Sequence, residues 1–494
     1  MTSAIERDWM TAARGKAWRV ALGGRRVTVV GLARSGVAAC RLLLACGARV
    51  TATDAQPADR LGAAAGALAG EGVRLHAGGH PSEAFAGAEL VVVSPGVPAD
   101  HPAVADCRRR GVPVIGELEL AYRAMTADVI AVTGTNGKTT TTALVGALLA
   151  DGGRPLLVGG NIGRPLAAEA LDFPPDGLVV AEVSSFQLET IDTFRPRVAV
   201  LCNLTPDHLD RHKTFAAYVE AKARVFLRQE ARDWAVLNAD DPGASALAGR
   251  VRGRLLWFSR TRAVREGSDV AGGWIRLRLD GREAPICPVE EIVLRGAHNL
   301  ENVLAATAAA AWAGVPPERL RAAIKAFRGV AHRIEWVREL DGVAFYNDSK
   351  GTNVDATLKA LASFREPIVL IAGGRDKGQD FAPLAAAAAG RVKAAVLIGE
   401  GRATLGPALC RVTVVDEADS MRDAVRRAFA LADPGDAVLL SPACASFDMF
   451  RDYEHRGEAF RVEVLGLESS GVPGRSRGAE GGHVTGEGRE CRGR

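Results

Sequence analysis

At 494 residues the chain is too long for one hydrophobic core, and about two to four domains are expected. With 48% hydrophobic and 24% charged residues and a formal net charge of only +4, it reads as a soluble globular protein, not as a basic nucleic-acid binder or a membrane-surface protein. Its eight cysteines are scattered, without a C-x-x-C pair or a Cys/His cluster, which points to reduced cytosolic thiols and excludes a disulfide frame or zinc site.

Glu6, Arg7 and Asp8 precede any apolar run, so no secretory leader is read, and alanine-rich stretches such as 303–315 are too short to cross a bilayer. Residues 1–24 read as a mostly polar extension. Strands are predicted at 25–31, 48–54, 90–94 and 112–115, with a helix at 35–46, and this alternation implies a parallel sheet. The turn Gly31-Leu-Ala-Arg-Ser-Gly36, with Asp54 further on, resembles a dinucleotide fingerprint, but Ala33 replaces the glycine that lets a backbone approach a pyrophosphate. Gly36 can still serve close helix–strand packing. Asp54 can meet a ribose or cap a helix, so a nucleotide bound differently from NAD is favoured over a purely structural turn.

The richest stretch is Thr133-Gly-Thr-Asn-Gly-Lys-Thr-Thr140, after the apolar run 129–132 and before an Ala/Leu-rich segment. Strand, glycine loop, Lys-Thr and helix form the arrangement that holds a nucleoside triphosphate. Backbone N–H groups turn toward phosphate oxygens, Lys138 reaches the terminal phosphates and the Thr139 hydroxyl can ligate Mg²⁺. Val132 stands where the general pattern has its first glycine, so the loop is a variant.

Further strands are predicted at 177–182, 197–202 and 234–238. Glu182, ending a buried strand near the loop, is placed to hold Mg²⁺ directly or through water, against the alternative of a satisfied structural carboxylate. Asn203-Leu-Thr-Pro-Asp-His-Leu-Asp-Arg-His212 gathers oxygen and imidazole groups past a strand end, where His208 could ligate a metal, meet substrate or be structural. Lys222 sits in a helical stretch and by spacing alone reads as a solvated lysine. Between 255 and 294 the alternation at 275–279, the Asp280-Gly281 turn and the run 292–294 predict a small antiparallel insert, followed by a helix at 298–313. Beyond Gly329 the parallel pattern returns at 343–346, 368–371, 395–398, 412–415 and 437–440. Three polar loops follow strands there: Asn347-Asp-Ser-Lys-Gly-Thr-Asn353, Gly373-Gly-Arg-Asp-Lys-Gly378 and Ser441-Pro-Ala-Cys-Ala-Ser446, suited to an anionic small molecule. The tail past 467, poor in large apolar residues, is expected to be disordered.

In this order the motifs resemble the Mur ligase family, from Arg25 to about Gly466. The resemblance also rests on Gly159-Gly-Asn161-Ile-Gly163, Glu182-Val-Ser-Ser-Phe-Gln-Leu-Glu189, Ala221-Lys222, His298-Asn-Leu-Glu-Asn302, His332-Arg333 and Gly373-Gly374 with Lys377. Glu182–Glu189 and Ser441–Ser446 look like the D-glutamate-adding branch. The resemblance implies an α/β fold of three domains: a Rossmann-like UDP-substrate domain (25–125), a central P-loop mononucleotide-binding domain with the antiparallel insert (126–328), and a Rossmann-like amino-acid domain (329–466).

It also implies roles. ATP would meet Gly134, Thr135, Asn136, Gly137, Lys138, Thr139, Thr140, Asn299, Asn302, Arg333 and Asp348. Thr139 and Glu182 would hold one Mg²⁺. Lys222, carbamylated by CO₂, would hold a second with His208, which reverses the spacing-based reading of that lysine. Arg34, Ser35, Asp54, Ser94, Gly96, Asn161 and His208 would face UDP-N-acetylmuramoyl-L-alanine. Lys350, Thr352, Lys377, Ser446 and Tyr453 would face D-glutamate, although the family often has Phe at the last position. The implied reaction activates a carboxylate as an acyl phosphate, which the glutamate amine attacks. The expectation is a cytoplasmic monomer of peptidoglycan precursor synthesis, with no nucleic-acid or membrane partner. Sister ligases, including folylpolyglutamate synthase, a non-catalytic ATP module and an NAD-dependent dehydrogenase are the rival readings.

Overall fold

The computed structural model describes residues 9–469 apart from 99, 295 and 377. The predicted disordered tail thus falls almost wholly outside the described residues, as does Lys377. Chain contacts divide the protein into two compact units, one running to Val293 and including Ala297–Phe327, the other comprising Leu294–Gly296 and the chain from Arg328.

The first unit holds two sheets. Five parallel strands, β1 (Arg26–Val30), β2 (Arg49–Asp54), β3 (Arg74–Ala77), β4 (Leu90–Val93) and β5 (Val114–Gly116), take the Rossmann-like order β3-β2-β1-β4-β5. The order reverses between β1 and β4, so a crevice opens past their carboxyl ends, where Gly31 and Ser94 lie. Gly36 is the packing glycine expected from the sequence: a Cβ there would run into the Gly31 carbonyl.

The second sheet has nine strands: β6 (Asp128–Thr133), β7 (Leu156–Gly160), β8 (Leu178–Glu182), β9 (Val198–Leu201), β10 (Trp234–Asn238), β11 (Arg254–Ser259), β12 (Gly267–Ala271), β13 (Trp274–Leu279) and β14 (Arg282–Pro288). Their order is β14-β13-β12-β11-β10-β9-β6-β8-β7. The antiparallel strand predicted at 275–279 exists, but it extends this sheet: β12 pairs parallel with β11, and β13 runs antiparallel to both β12 and β14, joining the latter through the Asp280-Gly281 turn. The strand expected at 292–294 does not form; the chain there is irregular before the helix Ala297–Ala310.

Residues 9–24 are less of a polar extension than their composition suggests. Trp18 and Leu22 are fully buried, Trp18 stacks with Trp9, and Arg123 lies over Trp18. Arg123 also pairs with the buried Glu119, whose carboxylate accepts N–H groups from Asp192, Thr193 and Phe194 at 2.9 Å each. A buried carboxylate satisfied on both oxygens in this way joins the helix Glu117–Ala124 after β5 to the central sheet without leaving an orphan charge.

The second unit is one six-stranded sheet, β15 (Glu335–Leu340), β16 (Val343–Asn347), β17 (Ile368–Gly373), β18 (Val392–Ile398), β19 (Val414–Glu417) and β20 (Ala437–Leu440), in the order β15-β16-β20-β17-β18-β19. All pairs are parallel except β15 with β16. Because β20 lies between β16 and β17, the three motif loops that follow these strands emerge side by side.

Candidate active site

Val132 is fully buried and paired with Glu182 and Val200, so the strand runs through the position where the general motif has glycine, and the loop begins only after Thr133. Both loop glycines have structural reasons. Gly134 has φ 146°, and a Cβ would come within 2.9 Å of Cys202 Cβ; Gly137 has φ 80°, and a Cβ would meet Asn302 Oδ1. Thr135 N–H donates to Asn203 O at 3.0 Å and Asn136 N–H to Asn203 Oδ1 at 2.8 Å, which lashes the loop to the segment after β9. Gly137→Ala is expected to lower ATP affinity by about ten-fold, from left-handed strain of roughly 1–2 kcal/mol plus displacement of Asn302. Calorimetric titration with a non-hydrolysable ATP analogue checks this, and unchanged affinity would contradict it.

Lys138, at the start of the helix Lys138–Leu149, donates from Nζ to Thr135 O at 2.8 Å. Thr139 Oγ1 donates to Glu182 Oε2 at 2.7 Å, and Asn161 Nδ2 to Glu182 Oε1 at 2.7 Å. Asn302 Nδ2 donates to Asn299 Oδ1 at 3.0 Å, and Thr141 Oγ1 to Asn302 Oδ1 at 3.2 Å, so the long helix supports the loop from behind.

Lys222 is not a solvated lysine. It is 2% exposed, its Nζ donates to Gly134 O at 2.7 Å, and it lies 4.7 Å from the Tyr218 ring centre. Burial, and then the Lys138 charge, bring its pKa down to about 7. Tyr218, one helical turn earlier, donates to Thr135 Oγ1 at 3.0 Å, a contact the sequence reading missed although the i, i+4 spacing places both on one helix face. His208 has φ 51°, and its ring stands 5.0 Å from that of Phe186.

On the first sheet, Asp54 accepts Leu32 N–H at 2.6 Å and Gln56 N–H at 2.8 Å, which fixes the turn after β1, and Ser94 Oγ donates to Gly31 O at 2.8 Å. Arg34, Gly96 and Asn161 are exposed and Ser35 is half-buried. Arg211 donates to Pro95 O at 2.8 Å and Val97 O at 2.9 Å, binding the turn beside Ser94 to the segment that carries His208.

In the second unit, Asp348 Oδ2 accepts Ser441 Oγ–H at 2.8 Å, and burial raises its pKa to about 7 against the opposing Ser441 hydrogen bond. Lys350 lies 5.2 Å from the ring centre of Tyr453, which begins the helix Tyr453–Leu465. Ser446 is buried, Thr352 half-buried and Arg333 exposed. The organiser of these loops is Arg456, fully buried and absent from the sequence reading. It donates to Ser349 Oγ at 3.0 Å, Ser349 O at 2.9 Å, Cys444 O at 3.1 Å and Gly373 O at 3.4 Å. No local pattern announces it, since an arginine on a C-terminal helix ordinarily faces water.

A glycine loop at a strand end, a hydroxyl–carboxylate pair beneath it and a buried lysine behind it, on a three-sheet α/β frame, define a phosphate-loop enzyme that uses a nucleoside triphosphate. Residues 25–116 match the Mur ligase MurD-like N-terminal domain, 132–310 the Mur ligase middle domain and 332–444 the Mur ligase glutamate ligase domain. The chain is 49% identical to the UDP-N-acetylmuramoylalanine–D-glutamate ligase of Pelotomaculum thermopropionicum over 90% of its own length and 98% of the relative's. It is likewise 49% identical to the enzyme of that name from Acidobacterium capsulatum, over 90% and 97%. Among solved structures it is similar in fold to the UDP-N-acetylmuramate–alanine ligase of Thermotoga maritima, with TM-score 0.53 at 19% identity over 89% of this chain and 99% of that one. A MurF ligase of Thermotoga maritima in complex with ADP gives TM-score 0.50 at 17% identity over 78% and 91%. The chain belongs to the Mur ligase family, with the three-domain α/β architecture expected from its motifs.

Proposed function

We propose that this chain joins D-glutamate to UDP-N-acetylmuramoyl-L-alanine at the expense of ATP, a step of peptidoglycan precursor synthesis. The observation that carries the reading is the loop Thr133–Thr140 with Glu182 and the buried Lys222, in a chain 49% identical over nearly its whole length to ligases of that name. Among the described residues no helix is long and apolar enough to cross a membrane.

The substrate carboxylate attacks the ATP γ-phosphorus, ADP leaves, and the resulting acyl phosphate is attacked by the glutamate amine with loss of phosphate. Loop N–H groups and Lys138 hold the phosphates, and the turns at Ser35, Asp54, Ser94 and Gly96 receive the UDP moiety with Arg34. Asn161 and His208 approach the muramoyl part. Asn299, Asn302, Arg333 and Asp348 serve the nucleotide, while Lys350, Thr352, Ser446, Tyr453 and Lys377, the last outside the described residues, serve the amino acid.

The Thr139 hydroxyl and Glu182 carboxylate are hard oxygen donors of the kind that Mg²⁺ takes alongside phosphate and water. Bound there, Mg²⁺ would neutralise charge on the transferred phosphoryl group. A second ion would rest on His208 and a Lys222 carbamate. The carbamate would supply oxygen ligands of the hard kind that Mg²⁺ prefers. The lowered pKa of Lys222 supports the carbamate, because only a neutral amine adds to CO₂. The UDP-substrate domain is assigned to 25–125, the ATPase domain to 126–328 and the amino-acid domain to 329–466, in a cytoplasmic monomer.

Phosphate release from ATP, measured with UDP-N-acetylmuramoyl-L-alanine and each amino acid in turn, should require both the UDP-sugar and D-glutamate. Release that needs neither would remove the ligase reading, and equal turnover with L-glutamate would remove the stereochemical assignment.

A further inference from the structure

Between the phosphate loop and the UDP-side turn lies a chain of three side chains that the reaction above does not use. His212 is buried, with Nδ1 3.3 Å from Glu189 Oε1 and Nε2 3.0 Å from Ser185 Oγ. A carboxylate only accepts, so Nδ1 carries the proton, and in the neutral ring Nε2 accepts from the Ser185 hydroxyl. Acid, imidazole and serine in this order resemble a nucleophile relay, but Ser185 is 2% exposed and opens the buried turn Ser185–Leu188, where no substrate reaches it. The geometry therefore acts on position.

What it positions follows from the contacts around the ring. One face stacks on Phe186 at 5.3 Å and 15°, and the Phe186 ring in turn lies 5.0 Å from that of His208, tilted by 60°. Tyr218, which donates to the phosphate loop, stands edge-on to His212 at 5.3 Å. The backbone N–H of His212 donates to His208 O at 3.0 Å, closing the turn in which His208 is held at φ 51°. A left-handed non-glycine residue persists only where its surroundings over-determine it. The neighbouring Arg211 reaches the same Glu189 at 3.4 Å while holding Pro95 O and Val97 O.

We propose that His212 is a positioning residue: held between Glu189 and Ser185, it fixes the strained turn that presents His208 and the turn that follows Glu182. The inference rests on the ligase reading for its kinetic readout alone. In the full-length protein, His212→Phe keeps the ring contacts and removes both polar ends. It is expected to lower kcat by about ten-fold or more, as displacement of a reacting group does, with the KM for D-glutamate within about two-fold of wild type. It should also shift the His208 ring resonance in isotope-labelled protein, a signature that a loss of stability alone would not produce. Ser185→Ala, which removes one hydroxyl, should shift the same resonance with a melting temperature within about 4 °C of wild type. An unshifted His208 resonance in folded His212→Phe, or in Ser185→Ala should the first variant not fold, overturns the proposal. A wild-type protein without glutamate-dependent phosphate release would instead overturn the ligase reading and leave the resonance test standing.

Discussion

Lys222→Met is expected to abolish turnover, lowering kcat by about a thousand-fold or more, while leaving a folded protein. Methionine fills nearly the volume of the lysine stem, so the helix Phe215–Ala223 keeps its packing, but no carbamate can form and the hydrogen bond to Gly134 O is lost. A pH signature accompanies the loss. The pKa of Lys222 falls from its ordinary 10.5 to about 7 on folding, so between those values the unfolded chain binds more protons than the folded one. Stability contributed at this site therefore rises with pH across that window: the penalty of burying the charge is fully present below about 7 and is relieved toward 10.5. Urea midpoints measured at pH 7 and at about pH 9 should separate less in Lys222→Met than in wild type, because the variant lacks this titration. Near-normal phosphate release by the variant would refute the carbamate role.

Arg456→Met is expected to cost about 3–5 kcal/mol of stability, since several buried oxygens lose their donor at roughly 1–3 kcal/mol each, and to raise the KM for D-glutamate. Among the described residues no carboxylate lies within hydrogen-bond distance of the guanidinium. It is satisfied by two Ser349 oxygens and the carbonyls of Cys444 and Gly373, one or more from each of the loops after β16, β17 and β20. Burial brings its pKa down to about 10, so it remains charged at neutral pH and acts as a cationic staple among carbonyl dipoles. Removing it leaves these oxygens without their donor in a dry interior. Arg456→Lys should not restore the wild-type value, since an ammonium lacks the planar fork that reaches several loops at once. Urea unfolding of both variants decides the matter; a wild-type midpoint for Arg456→Met would show that the loops hold without it.

The sheets and their motif loops were legible because apolar runs at 129–132, 368–371 and 437–440 are followed at once by glycine, lysine and hydroxyl residues, a local signal that needs no tertiary context. Among the strands that escaped notice, β3 and β15 carry mixed polar residues that periodicity does not separate from loops. Lys222 and Arg456 show the deeper limit. Each is a cation on a helix, for which the ordinary expectation is solvent, and only the fold reveals that backbone carbonyls from distant strands replace the water. The run at 292–294 failed in the opposite way, being apolar enough for a strand but irregular in the folded chain.

The placement of β20 between β16 and β17 has a consequence for the order in which the molecule comes into being. Domains fold as they are synthesised, amino terminus first. The phosphate loop, Glu182 and Lys222 lie in the first half of the chain, whereas the central strand of the last sheet is one of the final elements to be made. Until 437–446 have been translated, β16 and β17 have no strand to join them, and the loops after them have no common floor. A growing chain can thus shape its nucleotide-binding half well before the last sheet exists. A ribosome stalled before Ala437 would hold a protein with a formed phosphate loop and an unfinished three-loop platform.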